Sequence, residues 1–205
     1  MVAFNFFPDT VVSFDVETTG LNPQKDEIIE IGAIRYHKGK EVNRFESLIK
    51  PKNPIPFFIA ELTGITNDMV KDAPPLRKAI KNFIGWLGKD TIIGWNVGFD
   101  INFLTNSVLK TMKWPSSLEN NYIDVMQWAK KLYPEMSHYK LDNMREKFDI
   151  KNTTSHRACA DAEDAYKCYL KIGEDLQSLS PYFEKISSSF KCITERKEYY
   201  MEKLK

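Results

Sequence analysis

Cysteine is scarce in this chain, histidine equally so, and surplus charge of either sign is missing. The three cysteines, Cys159, Cys168 and Cys192, are odd in number and show no CxxC spacing, which argues against a disulfide framework and a zinc site and fits a reducing compartment. Basic and acidic residues nearly cancel, 29 against 28. No global field therefore draws in nucleic acid or membrane, and an anionic ligand has to be held locally. No apolar run approaches the roughly 18 residues of a membrane span. The start, MVAFNFFPDT, lacks the charged opening and long apolar core of a signal peptide. The chain thus reads as soluble and cytoplasmic, with no membrane partner. Repeats and low-complexity tracts are absent too. What is present, 42% hydrophobic and 13% aromatic residues in 205, suffices for one well-packed core.

Along the chain, apolar alternation predicts a strand at about 10–16. Two further strands, EIIEIGAIRYH and EVNRFESLIKP, follow as a meander turning at Lys38-Gly39-Lys40. A Pro-rich stretch with short helices comes next. A helix at about 75–87 carries Leu76, Ile80, Phe83, Ile84 and Leu87 at helical spacing. DTIIGWN reads as a fourth strand leading to a helix near 98–111, and NNYIDVM as a fifth leading to a helix ending near 133. SHYKLDNMREKFDI and the segment 156–172 are helical. A meander followed by alternating strands and helices implies a mixed α/β sheet covered by helices.

The strand VVSFDVETTGL places Asp15 and Glu17 two positions apart, so both carboxylates emerge on one face beside Ser13. A core strand has no use for two charges on one face unless something holds them. In HRACADAEDAYKCYLKI, a wheel of about 100° per residue puts Ala158, Ala162, Ala165, Cys168, Tyr169 and Ile172 on an apolar face, with Glu163, Asp164, Lys167 and Lys171 opposite. Asp161 falls inside the apolar stripe, where a bare carboxylate loses hydration at a cost of several kcal/mol. A cation, strong donors or an arginine partner would each satisfy it. Asp100, in IIGWNVGFDINFL, opens a helix beyond the fourth strand. That suits the helix dipole as well as a site at the strand ends, and Asn96 before it is placed to cap the helix.

Convergence of Asp15, Glu17, Asp100 and Asp161 would be costly. Each pair about 4 Å apart repels by roughly 4 kcal/mol at an effective dielectric near 20. Two divalent cations would neutralise the four, and hard carboxylate oxygens suit Mg²⁺ or Mn²⁺. Such a pair of ions clamps both oxygens of an in-line displacement at phosphorus. A proton acceptor is then needed. Of the three histidines, His37 follows the second strand and His138 starts a helix, positions that suit surface or capping roles. His156 lies five residues before Asp161, about 140° away on a regular helix, so it shares the site only from the helix entrance. Imidazole there suits a general base near neutral pH, and an exposed helix-start residue is the plain alternative.

Taken together, FDVETTGL, NVGFD and HRACADA resemble the three motifs of the DEDDh 3′-to-5′ exonucleases, the DnaQ-like group that includes the proofreading subunit of bacterial DNA polymerase III. The resemblance covers about residues 8–175. It implies a ribonuclease H-like fold, a mixed five-stranded sheet of order 3-2-1-4-5 flanked by helices. It makes Asp15, Glu17 and Asp161 direct ligands of two ions, gives Asp100 the second ion through water, and makes His156 the general base. It implies that Thr18, Thr19, Gly20 and Leu21 receive the terminal nucleotide. LTGIT, with Thr63 and Ile65, resembles the element that packs on the last bases, although Thr63 stands where histidine is common. Asn96 and Phe99 match cleft-lining positions, Phe99 suiting the core equally well, and Asp124 reads as structural.

The expected organisation is an exonuclease domain over 1–175 and a helical extension over 176–205. In that extension Phe183, Ile186, Phe190, Ile193, Tyr200 and Leu204 form one apolar seam, expected to fold back on the domain or to dock a partner or second copy. The implied activity is metal-dependent release of nucleoside 5′-monophosphates from single-stranded or frayed 3′ ends of DNA. A DNA polymerase is the implied partner. Short RNA is the rival substrate, and a binding module without catalysis the rival class.

Overall fold

The structure is a computed structural model describing residues 8–114, 118–151, 156–178 and 191–192. Strand β1 (Thr10–Thr18) is the sheet's centre. It pairs antiparallel with β2 (Ile28–His37), which pairs antiparallel with β3 (Lys40–Leu48). The expected turn joins these two, with Lys38 and Gly39 both at positive φ, 49° and 83°, as a two-residue hairpin requires. On the other side β1 pairs in parallel with β4 (Thr91–Gly94), and β4 with β5 (Asn121–Asp124). The expected order 3-2-1-4-5 is therefore present.

A two-residue strand, β6 (Lys191–Cys192), extends the sheet by pairing antiparallel with Asn121 and Tyr122 of β5. Helical spacing in the tail predicts a helix across this point. The unpaired backbone edge of β5 claims these two residues instead. The rest of the seam lies outside the described residues.

Seven helices complete the described chain: α1 (Phe57–Thr63), α2 (Asn67–Val70), α3 (Leu76–Leu87), α4 (Gly98–Thr111), α5 (Val125–Leu132), α6 (Leu141–Phe148) and α7 (Ala158–Ser178). None among the described residues is long and apolar enough to cross a membrane. His138 is exposed and precedes α6 rather than starting it.

Alternation along β1 decides what each layer packs against. Val12, Phe14 and Val16 join Ile80 and Phe83 of α3 and Ile101 and Phe103 of α4 in one core. The opposite face carries Val11, Ser13, Asp15 and Glu17. There α5, α6 and α7 build a second core from Trp128, Met144, Ala165, Cys168, Tyr169 and Ile172. A smaller cluster of Ile29, Ile55, Ile59, Ile65 and Val70 seats α1 and α2 against β2.

The start of α7 lies directly on β2. A methyl added at Gly32 would collide with the backbone nitrogen of Cys159 and the carbonyl carbon of Ala158, backbone atoms that have no rotamer to yield. Gly32→Ala is therefore expected to cost about 1–3 kcal/mol. It should also loosen the start of the helix that carries Asp161. Urea unfolding alongside amide hydrogen exchange of the α7 N-terminus checks this, and a variant with unchanged stability and exchange would contradict it.

Candidate active site

Strand β1 runs past β4, whose last bridge to it is Ser13 with Ile93. Beyond that point the Val16 N–H has no partner in β4, and a buried amide must find one. It donates to Asp100 Oδ1 at 3.0 Å. Asp100, in the first turn of α4, is 3% exposed. The second sequence motif is thus fastened to the first by a backbone hydrogen bond, and the acid at the helix start does more than complement the dipole.

From the other face α7 brings the third motif. Ser13 donates to the Ala162 carbonyl at 2.6 Å, which locks α7 in register with β1. Asp161 is thereby set against Asp15 and Glu17, and these three carboxylates each offer an oxygen within 4.8 Å of the others.

Electrostatics in this pocket are strained in the absence of ions. Burial pushes Asp15 well above the ordinary carboxylate range, helped by the negative charges of Asp100, Glu17, Asp161 and Glu30. Glu17 is pushed to about 8, first by burial and then by Asp161 and Glu30, with Arg157 partly opposing. Burial raises Asp100 too, against the stabilising hydrogen bond from Val16. Asp161 is raised by burial, while its bond to Arg145 and the nearby charges of Arg145 and His156 pull it back. An all-oxygen set of crowded, desolvated carboxylates fits a hard divalent cation such as Mg²⁺ or Mn²⁺.

Three residues of this site escape the sequence reading. Glu30, on β2 directly across from Glu17, has no exposed surface. It accepts from Arg157 Nη2 at 2.6 Å and Nε at 3.1 Å, and from the Ala158 N–H at 3.0 Å. It thus caps α7 from a neighbouring strand and fixes the approach on which His156 sits. The signal lay in EIIEIGAI, where one charge interrupts a buried apolar run and demands a partner.

Arg145, on α6, is the third. It is 8% exposed and pairs with Asp161 at 2.5 Å and with Asp164 at 2.7 Å. Asp164 itself is 2% exposed, a correction to its placement on the solvent side of the wheel. The wheel considers one helix, and α6 covers a sector that the wheel leaves open. Asp161 consequently satisfies two readings at once, as a member of the acidic cluster and as an arginine-paired aspartate.

His156 stands before α7, in the left-handed region at φ 61° and partly exposed, as the helix-entrance position requires. Thr18 donates to the Gly20 carbonyl at 2.6 Å, and Thr19 Oγ1 accepts from the Glu27 N–H at 2.9 Å. These bonds shape a turn that leaves Leu21 84% exposed. Thr63 and Ile65 are 4% and 0% exposed, and the Thr63 hydroxyl donates to the Ile59 carbonyl and accepts from the Ile65 N–H. Their side chains are committed to the turn after α1, so Leu62, 54% exposed, is the large apolar residue of LTGIT that faces outward.

Asn96 is exposed at φ 55° and does not cap α4 through its side chain. Its N–H donates to Asp124 Oδ1, which also caps α5 by accepting from Met126 N, so Asp124 has the structural role expected. Phe99 packs on Phe103 with ring centroids 4.9 Å apart, at the border of the core. His37 accepts or donates a hydrogen bond with Thr10 at 2.8 Å on the exposed strand end, away from the acids.

The sequence pattern of the RNase_T family, described as Exonuclease, matches residues 12–169. The chain belongs to this exonuclease family. The acids and histidine of its three motifs make it a DnaQ-like member of the DEDDh type. It is 39% identical over 167 residues to the PolC-type DNA polymerase III of Bacillus subtilis (strain 168), a match spanning 82% of this chain and 12% of that one. The corresponding protein of Caldanaerobacter subterraneus subsp. tengcongensis is 38% identical over 168 residues, again 82% of this chain and 12% of the relative. Among solved structures, the exonuclease fold of this chain superposes on the nuclease domain of 3′hExo, a DEDDh family member bound to rAMP. That match has TM-score 0.72 and 23% identity over 83% of this chain and 94% of the other. Escherichia coli Exonuclease I in complex with a dT13 oligonucleotide gives TM-score 0.72 at 18% identity, over 85% and 43% of the two chains.

Two predictions follow from the charges of this exonuclease site. Glu17 holds its proton in the fold up to about pH 8 but releases it near 4.5 when unfolded. Stability conferred by the protonated form is therefore complete below about 4.5 and lost as pH rises towards about 8. In EDTA the melting temperature should fall across that window, and Glu17→Gln should flatten the fall. Parallel slopes for the two proteins in calorimetric scans would contradict this. Glu30→Ala strands a guanidinium and a buried N–H and should cost about 2–4 kcal/mol in chemical denaturation. A loss under about 0.5 kcal/mol, the ordinary surface range, would show that the pair does not anchor α7.

Proposed function

We propose that this chain is a two-metal 3′-to-5′ exonuclease that releases nucleoside 5′-monophosphates from single-stranded or frayed 3′ ends of DNA. The observation that carries the reading is the meeting of Asp15, Glu17 and Asp161 within 4.8 Å, with Asp100 fastened to the same strand. Asp15, Glu17 and Asp161 would hold the ions directly, and Asp100 would hold the second through water. Bound there, two Mg²⁺ or Mn²⁺ ions supply charge for the phosphodiester and lower the pKa of an attacking water.

The chain's own residues do the rest. His156, at the partly exposed entrance of α7, takes the proton of the attacking water as general base. The Thr18–Leu21 turn presents backbone groups to the terminal nucleotide, and Leu21 and Leu62 offer apolar surface to its base and the next. Asn96 and Phe99 line the side of the cleft nearest α4. With the ions present, no basic surface is needed to hold the phosphate, which agrees with the balanced net charge.

DNA is favoured over RNA because the relatives at 38–39% identity are DNA polymerases III of PolC type. The same likeness makes a replicative polymerase the proposed partner, proofreading or repair the proposed role, and the cytoplasm its place. The tail beyond residue 175 is proposed as an extension outside the catalytic domain.

Oligonucleotide digestion tests the reading. Mononucleotide release should stop in EDTA and return with Mg²⁺ or Mn²⁺. It should be abolished by Asp15→Ala or Asp161→Ala in proteins that stay folded. His156→Ala should lower kcat by about 10²–10⁴-fold with a much smaller effect on substrate binding. Full activity in EDTA overturns the mechanism, and faster digestion of a matched RNA strand than of DNA reassigns the substrate.

A further inference from the structure

Arg145 reaches three carboxylates through three different nitrogens. Its Nη1 lies 2.6 Å from Asp142, its Nη2 2.5 Å from Asp161 and its Nε 2.7 Å from Asp164. Asp164, buried and also held by Lys167 at 3.0 Å, fixes one edge of the guanidinium. Asp142, one turn earlier on α6, fixes another. A planar fork anchored at both ends cannot follow a moving carboxylate, so Asp161 has to settle where the fork already is. Among the described residues no ion pair reaches Asp15, Glu17 or Asp100, which leaves Asp161 as the acid of the cluster that is tied to a protein cation.

We propose that Arg145 is a positioning residue for the metal centre, clamping one oxygen of Asp161 so that the other is presented to the ions. This rests on reading the acidic cluster as a divalent-metal site. The mechanism has a sign that separates it from simple charge. A guanidinium beside a ligand repels an incoming cation, so on charge alone its removal would tighten metal binding. If its work is orientation, removal loosens binding, because outer partners that aim a ligand are worth about 10–100-fold in metal affinity. A role confined to joining α6 and α7 would change the melting temperature and leave the affinity of the folded protein unmoved.

Mn²⁺ titration of the metal-free full chain, followed by calorimetry and by the loss of the free-ion paramagnetic resonance signal, decides between these. Arg145→Met should bind Mn²⁺ at least about ten-fold more weakly than the unaltered protein. Arg145→Lys, which keeps the charge but not the fork, should fall between. If Arg145→Met fails to fold, the double variant Arg145→Met/Asp164→Asn removes the buried charge together with its partner and is expected to show the same weakening. Equal or tighter Mn²⁺ binding in the folded variant overturns the inference and leaves the metal site standing. Failure of the unaltered protein to bind Mn²⁺ overturns the metal reading and this inference with it.

Discussion

Carboxylate repulsion at the end of β1 is the constraint around which this molecule is arranged. Asp15 and Glu17 share one face because strand side chains alternate. The adjoining Val12, Phe14 and Val16 are committed to the α3–α4 core, so neither acid can turn away without inverting the strand. Asp100 and Asp161 are then drawn in by bonds from outside the cluster: the Val16 N–H, which lacks a ladder partner, to Asp100, and the Ser13 contact to α7 together with the Arg145 pair to Asp161. The fold forces the acids together, and burial makes their charges more costly still. On the proposed two-metal reading, divalent ions would relieve both costs at once, tying the stability of the site to its chemistry.

Two arginines pair with acids at the edge of the cluster. Arg157 is held by Glu30 and steadies the entrance of α7, where His156 sits. Arg145 holds Asp161 from α6. Both guanidiniums contact acids on α7 or facing it, and neither forms an ion pair with Asp15 or Glu17 among the described residues. The protein's own cations thus pair at the periphery of the cluster, with Asp161 and Glu30, and the proposed ions would take its centre.

Much of this was legible before the structure. The turn after His37 and the bounds of α3 and α4 follow from periodicity and turn chemistry, and the strand order follows from the resemblance of the three motifs to the DnaQ-like exonucleases. The alternation Val12-Phe14-Val16 against Ser13-Asp15-Glu17 announces a two-sided strand with a functional face. Asp161 betrays itself by sitting in an apolar stripe. What stayed hidden depends on contacts between elements remote in sequence. Arg145 looks like an ordinary helix-surface residue until α6 is laid on α7, and Asp164 looks solvated for the same reason. Thr63 and Ile65 resemble residues of an element that packs on bases, and only the structure shows that the turn after α1 buries both side chains and exposes Leu62. Lys191 and Cys192 follow helical spacing locally and yield to the open edge of β5, a competition that no single segment reveals.

The central claim is that ions, and not protein cations, occupy the space among Asp15, Glu17 and Asp161. Anomalous diffraction from crystals soaked in Mn²⁺ with a mononucleotide tests it most directly. Peaks beside the oxygens of those three acids, with the second on the Asp100 side, are the predicted result. A map with no anomalous density there, from crystals in which the mononucleotide is visible, would contradict the account.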